Sequence, residues 1–160
     1  MRVADVMMGT PASCTANTNL AAAVEILWKR NCGMLPITTP EGKVTGVITD
    51  RDICIALGTR NRPAAEITVA EVQPQNLVAC RADDDILTAL AILADKKVRR
   101  LPVLDTEGHL QGVLSLDDIV QHANASTARR LPELSSSDVV EYMKRIYRPN
   151  EVVAFEAAVA

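Results

Sequence analysis

Aromatic side chains are scarce in this 160-residue sequence: 2% of the residues, with one Trp, two Tyr and one Phe. A groove for single-stranded nucleic acid is built on rows of such rings, so that class is excluded. An excess of positive charge is missing as well. The 17 Lys and Arg stand against 20 Asp and Glu, a net charge of -3, and a field of that sign does not attract a phosphate backbone. We expect no nucleic-acid partner. No apolar run approaches the ~18 residues that cross a bilayer, and the opening MRVADVMMGT lacks the apolar centre of a secretory signal. No membrane association and a cytoplasmic location are expected. Cysteine is sparse too. Cys14, Cys32, Cys54 and Cys80 form no C-x-x-C pair and stand among apolar neighbours, as in DICIAL around Cys54. The expectation is reduced core thiols and no metal site. His109, in a predicted turn, and His122, on a predicted helix, have no nucleophile or metal-ligand partner in the pattern and are expected at the solvent boundary. A Gly-rich phosphate loop, an H-E-x-x-H and a Ser-His-Asp set in a fitting context are all missing. An enzyme is not expected.

What is present is a globular balance, 48% apolar and 23% charged, and an internal duplication. A shift of 66 positions lays residues 3–57 on 69–123 without a gap: VADV meets VAEV, Cys14 meets Cys80, LPI meets LPV, and EGKVTGVIT meets EGHLQGVLS. The chain is one unit made twice. Leu20, Ala23, Val24, Leu27 and Trp28 form the stripe of an amphipathic helix, and Ile86, Ala89, Leu90, Leu93 and Ala94 repeat it. Two short apolar runs around a Glu-Gly turn follow in each copy, which predicts an antiparallel pair of strands. Short strands at SCTA and VACR precede the helices, and second helices begin near DRDICIAL and LDDIVQHA. Each copy therefore reads β-α-β-β-α. Half a chain of this size buries too little apolar surface alone, so the copies are expected to pack sheet to sheet about a pseudo-twofold axis with two equivalent clefts at the seam. GTRNRPAAEIT (58–68) links the copies, and ANASTARRLPELSSS (123–137) leads to a tail. There SSSDVVEYMKRIYRPN predicts a helix opened by Asp138 and Glu141, stopping before Pro149, with Val139, Val140, Met143, Ile146 and Tyr147 as its apolar face.

One element recurs at the end of each strand pair: GVITDRDI and GVLSLDDI, a hydroxyl followed by an aspartate three residues on. Two readings compete. As a capping box, Thr49 with Asp52 and Ser115 with Asp118 satisfy the orphan amides of a helix start. As a ligand grip, the hydroxyl donates to a phosphate at that helix start, while the carboxylate, an acceptor only, takes the two hydroxyls of a ribose. The copies differ just upstream, where VRRLP in the second stands against CGMLP in the first.

The helix stripe, Leu-Pro strand, Glu-Gly turn and G-h-h-[ST]-x-x-D, in that order twice, resemble a tandem pair of CBS domains, the modules named after cystathionine β-synthase. The resemblance covers residues 1 to 124. It implies an α+β fold of two repeats, 1–60 and 61–124, with a linker and C-terminal helical tail at 125–160. In that family the element binds adenosine-containing ligands, which assigns ribose and phosphate contacts to Thr49 and Asp52 in one cleft and to Ser115 and Asp118 in the other. Arg99 and Arg100 are similar to the phosphate contacts of pairs that bind AMP, ADP or ATP. They make the second cleft the expected phosphate site, unless they reach across the seam. Met34 is expected to floor a first cleft that is weaker, empty, or better suited to a ligand with less negative charge. The implied ligand is an adenine nucleotide or relative (AMP, ADP, ATP, NAD or S-adenosylmethionine), and the implied assembly is a homodimer signalling to an unidentified target protein. The alternative is a scaffolding homodimer with no nucleotide.

Overall fold

The computed structural model describes residues 1–74, 76–123 and 134–148. Helix α1 (Leu20–Lys29) starts where Asn19 accepts from the Ala22 amide, and α3 (Ile86–Lys96) where Asp85 accepts from Leu87, both at 2.9 Å. The predicted stripe of α3 is buried along its whole length. On α1 only Leu20, Ala23 and Leu27 are buried, while Val24 is 42% and Trp28 85% exposed. The difference comes from the tail. Helix α5 (Ser136–Ile146) packs on α3 and on α4 (Leu116–His122) and covers the second copy's helical face. Among the described residues, Val24 and Trp28 on the first copy have no equivalent cover.

The tail helix itself differs from expectation in its start. Its N-cap is Ser135, whose hydroxyl accepts from the Asp138 amide at 3.1 Å and donates to the Asp138 carboxylate at 2.6 Å. The box sits three residues earlier than the sequence suggested because a hydroxyl both donates and accepts, whereas a carboxylate at 138 only accepts. Val139 and Ile146 are buried, but Val140 and Tyr147 of the predicted apolar face are exposed. Most of the linker, the stop at Pro149 and residues 149–160 lie outside the described residues.

Strands β2 (Met34–Thr38) and β3 (Val44–Thr49) pair antiparallel with Leu35 opposite Ile48, and β5 (Arg100–Leu104) and β6 (Leu110–Ser115) repeat this with Leu101 opposite Leu114. The expected strand ahead of α1 is reduced to a single parallel bridge between Cys14 and Ile37, whereas its counterpart β4 (Cys80–Arg81) joins β5. A further strand was not expected. β1 (Met8–Gly9), from the start of the first copy, pairs with β6 of the second, giving sheets β1-β6-β5-β4 and β2-β3.

That crossing is general: each copy's leader packs on the other copy. The amides of Val3 and Ala4 bond the carbonyls of Asp84 and Ala82, and those of Val69 and Ala70 bond Thr18 and Ala16. Val3 and Val6 lie in the core of Leu90, Leu93, Leu101 and Leu114, while Ile67 and Val69 lie in the core of Leu20, Leu35 and Ile48. Each fully buried Leu or Ile contributes about 1.5–3 kcal/mol, so neither core is complete without residues that the duplication register assigns to its sister. At the far end of the seam the two Glu-Gly turns bond reciprocally, Val44 N to Gly108 O at 3.0 Å and Leu110 N to Gly42 O at 3.2 Å. The pseudo-twofold axis runs between these bonds. Helix α2 (Asp50–Arg60) completes the first copy as α4 does the second. Among the described residues no helix is long and apolar enough to cross a membrane.

Candidate functional site

Both hydroxyl and aspartate pairs stand where a strand turns into a helix, Thr49 before α2 and Ser115 before α4. The cap is complete in each. Asp52 N donates to Thr49 Oγ1 at 3.2 Å, while Thr49 N and Oγ1 donate to Asp52 Oδ2 at 2.9 and 2.6 Å. Ser115 and Asp118 make the same three bonds at 3.1, 3.0 and 2.5 Å. Ser135 and Asp138 make them a third time, so the pattern by itself does not mark a ligand site. Two chemical consequences follow. All of the cap's bonds to carboxylate fall on Oδ2, which leaves Oδ1 of Asp52 and Asp118 outside the cap and available as an acceptor. The hydroxyl proton, in contrast, is already committed to the carboxylate, so a phosphate at this helix start needs another donor.

Around Asp52 lies a pocket of about 180 Å³, lined by Asp52, Ile55, Ala56, Thr59, Arg60 and Val72. The first five are spaced i, i+3, i+4, i+7 and i+8, one face of α2, and Val72 comes from the leader of the second copy. Arg60 was not singled out in the sequence, although its helical spacing from Asp52 was there to be read. Its Nη2 donates to the Glu71 carbonyl at 2.6 Å and its Nη1 lies 3.6 Å from Glu71 Oε2, an oxygen that also takes Arg62 Nη1 at 2.8 Å. Donation from the Thr68 amide, then from Arg62, lowers the Glu71 carboxyl to about 2.

Arg99 and Arg100 stand elsewhere. They line a groove of about 710 Å³ formed mainly by α1 and α2 of the first copy, with Trp28, Leu27, Ile53 and Asp50 among its walls. None of Thr49, Asp52, Ser115 or Asp118 lines that groove. Arg100 is opposite Ser115 in the β5–β6 register, but its guanidinium reaches over the seam. Nη2 lies 3.7 Å from Asp117 Oδ2, and a Cβ on Gly33 would sit 3.3 Å from both Arg100 Nη1 and Asp50 Oδ2. Gly33 is the residue that aligns with Arg99, so the copy that lacks arginines ahead of its Leu-Pro pair supplies the room that the other's arginine uses. Met34 is buried in β2 opposite Thr49.

The cysteines divide. Burial pushes the Cys14 thiol up to about 11 and Cys80, with Asp84 nearby, up to about 12, which keeps both as neutral core groups. Cys54 is exposed and Cys32 half-buried, against the expectation of four core thiols, because both face the open groove rather than a covered core. Among the described residues no three His, Cys, Asp or Glu side chains are grouped to hold a metal. His109 Nδ1 lies 3.1 Å from Asp105 Oδ2, and His122 Nδ1 lies 2.8 Å from the Asp118 carbonyl.

The chain is 28% identical over 120 residues to the uncharacterized protein MK0525 of Methanopyrus kandleri, matching 73% of itself and 57% of that protein. It is 27% identical over 139 residues to the CBS domain-containing protein YhcV of Bacillus subtilis, covering 86% of itself and 97% of YhcV. Among solved structures, the CBS domain pair of protein MJ0100 in complex with 5'-methylthioadenosine and S-adenosyl-L-methionine superposes with a TM-score of 0.70 at 26% identity, covering 76% of this chain and 94% of that one. The family model for the CBS domain matches twice, at residues 3–59 and 69–124, and the two matched spans are the two halves related by the pseudo-twofold axis. This chain belongs to the CBS domain family and carries two copies in tandem.

Proposed function

We propose that the chain is a regulatory module that binds an adenine nucleotide and changes its shape or partner contacts in response, working as a cytoplasmic homodimer that signals to a target protein rather than as an enzyme. The observation that carries the reading is the free Oδ1 of Asp52 at the edge of a pocket, next to a helix start whose cap is already satisfied. A ribose diol is the donor that such an acceptor suits. The MJ0100 pair, built on the same fold and bound to two adenosine compounds, supports an adenosine-containing ligand here. Residues 1–60 and 61–124 would respond together, because the exchanged leaders tie each core to the other copy. The homodimer reading rests on the first copy's helical face, where Val24, Trp28 and Leu57 are exposed; apolar patches of this kind mark interaction surfaces.

The test is thermal unfolding with AMP, ADP, ATP, NAD and S-adenosylmethionine. A ligand at 100 times its dissociation constant stabilises the fold by about 2.7 kcal/mol, which at about 2–4 °C per kcal/mol for a chain of this size is an easily read rise. A second reading, a scaffold without nucleotide, is favoured by the completeness of the cap and its recurrence at Ser135. No rise with any of the five ligands selects it.

A further inference from the structure

We infer that Arg60 is the phosphate-recognising residue of the Asp52 pocket, and that this pocket, not the cleft of Ser115 and Asp118, takes a phosphorylated adenosine first. The inference rests on the nucleotide reading above and adds the residue that selects phosphate and the cleft that selection favours. Three observations converge. The Thr49 hydroxyl, the expected phosphate donor, gives its proton to Asp52 at 2.6 Å. Arg99 and Arg100, the expected cations, line the groove beside Trp28 instead. The cation that does line the pocket with Asp52 is Arg60, two helical turns along the same face of α2.

Arg60 is also placed to change partners at little loss to its neighbours. The Glu71 carboxylate keeps Arg62 at 2.8 Å and the Thr68 amide at 2.9 Å whether or not the longer 3.6 Å contact to Arg60 persists. What Arg60 gives up is one bond to the Glu71 carbonyl. A phosphate offers its fork two anionic oxygens in exchange. The geometry divides the ligand accordingly: Asp52 Oδ1 for the sugar hydroxyls, Ile55, Ala56 and Val72 for apolar contact, and Arg60 for the phosphate.

Calorimetry with adenosine and with AMP, on the parent protein and on Arg60→Ala, Arg60→Lys and Asp52→Asn, tests this. In Arg60→Ala the tighter AMP site should weaken roughly 10- to 100-fold, the range for a bond to a charged group, with adenosine affinity unchanged and the salt dependence of AMP binding lost. Arg60→Lys should recover part of the affinity, since an ammonium keeps the charge without the fork. Asp52→Asn should weaken both ligands alike. An AMP-to-adenosine ratio unchanged in Arg60→Ala overturns the assignment of Arg60 while leaving the nucleotide reading intact. A ratio that falls only in an Arg99→Ala, Arg100→Ala double variant overturns it too. A parent protein that binds neither ligand overturns the nucleotide reading itself, and this inference with it.

Discussion

At the scale of single residues, three capping boxes of one design give an internal control. Asp52, Asp118 and Asp138 each accept from their cap residue's amide and hydroxyl, but only the first two stand at the strand-to-helix step shared by the copies. Changing any of them to Asn should lower the melting temperature of the empty protein by a similar amount, since a lost cap costs about 1 kcal/mol. Asp52→Asn should in addition weaken an adenosine ligand by roughly 1–3 kcal/mol, whereas Asp138→Asn should leave binding unchanged. Equal effects of all three on binding would reduce Asp52 to a cap. Glu71 gives a second, pH-dependent test. Its folded carboxyl is depressed from 4.5 to about 2, so the stability it adds is present above pH 4.5 and is lost as pH falls through about 2. Glu71→Gln should therefore flatten the stability profile between pH 4.5 and 2 and leave it parallel to the parent above pH 6. The motif residues themselves were legible in the sequence, because spacing alone puts a hydroxyl and an acid on one helix start. The direction in which a long arginine side chain runs was not, because Arg100 is decided by the empty space over Gly33, a feature of the other copy.

At the scale of elements, the helices and hairpins were readable from periodicity and turn chemistry, while the leader strand was not. β1 has two residues, Met8 and Gly9, with no alternation to announce it. What makes it possible is a glycine in the strand it joins. A Cβ on Gly112 would lie 2.7 Å from the Met8 carbonyl oxygen and 2.8 Å from the Met7 sulfur, whereas on Gly46, its counterpart, the nearest atoms are Gln73 Oε1 and Ile37 Cδ1 at 3.5 Å. The backbone at Gly112 has no room to yield without losing the β1–β6 pairing. Gly112→Ala should destabilise the protein by about 1–3 kcal/mol, as overpacking does, and Gly46→Ala by clearly less, measured by denaturant unfolding. Two equal losses would show that the glycine serves the strand and not the crossing leader. The G in G-h-h-[ST]-x-x-D is thus a packing residue for the exchanged leader in the second copy, separate from the cap and from any ligand.

At the scale of the whole molecule, duplication creates two equivalent helical faces and the tail treats them differently. Helix α5 lies over α3 and α4, with Leu134, Val139 and Ile146 buried in the second copy's core, and Arg145 pairs with Asp95 on α3. The sequence indicated a helix that needed a receptor, and that receptor is the outer edge of the α3 stripe, which is why Leu90 is fully buried while its counterpart Val24 is 42% exposed. Among the described residues, one face is closed and one is open. A chain with a single open face joins one partner and stops, as a closed twofold dimer does; a chain with two open faces has a second surface through which to continue. Removing residues 134–160 should therefore raise the mass in light scattering from the proposed dimer to larger species, because the α3–α4 face becomes as apolar as the Trp28 face. Trp28→Lys in the full chain should do the reverse and give a monomer that stays folded, since the Trp28 side chain is 85% exposed and contributes little to its own core. Trp28, the one tryptophan, would also report the proposed contact: emission in the parent should shift to the red on dilution through the proposed dimer's dissociation constant. A truncated chain of unchanged mass would remove α5 as the element that limits assembly, and emission independent of concentration would remove the Trp28 face as the contact.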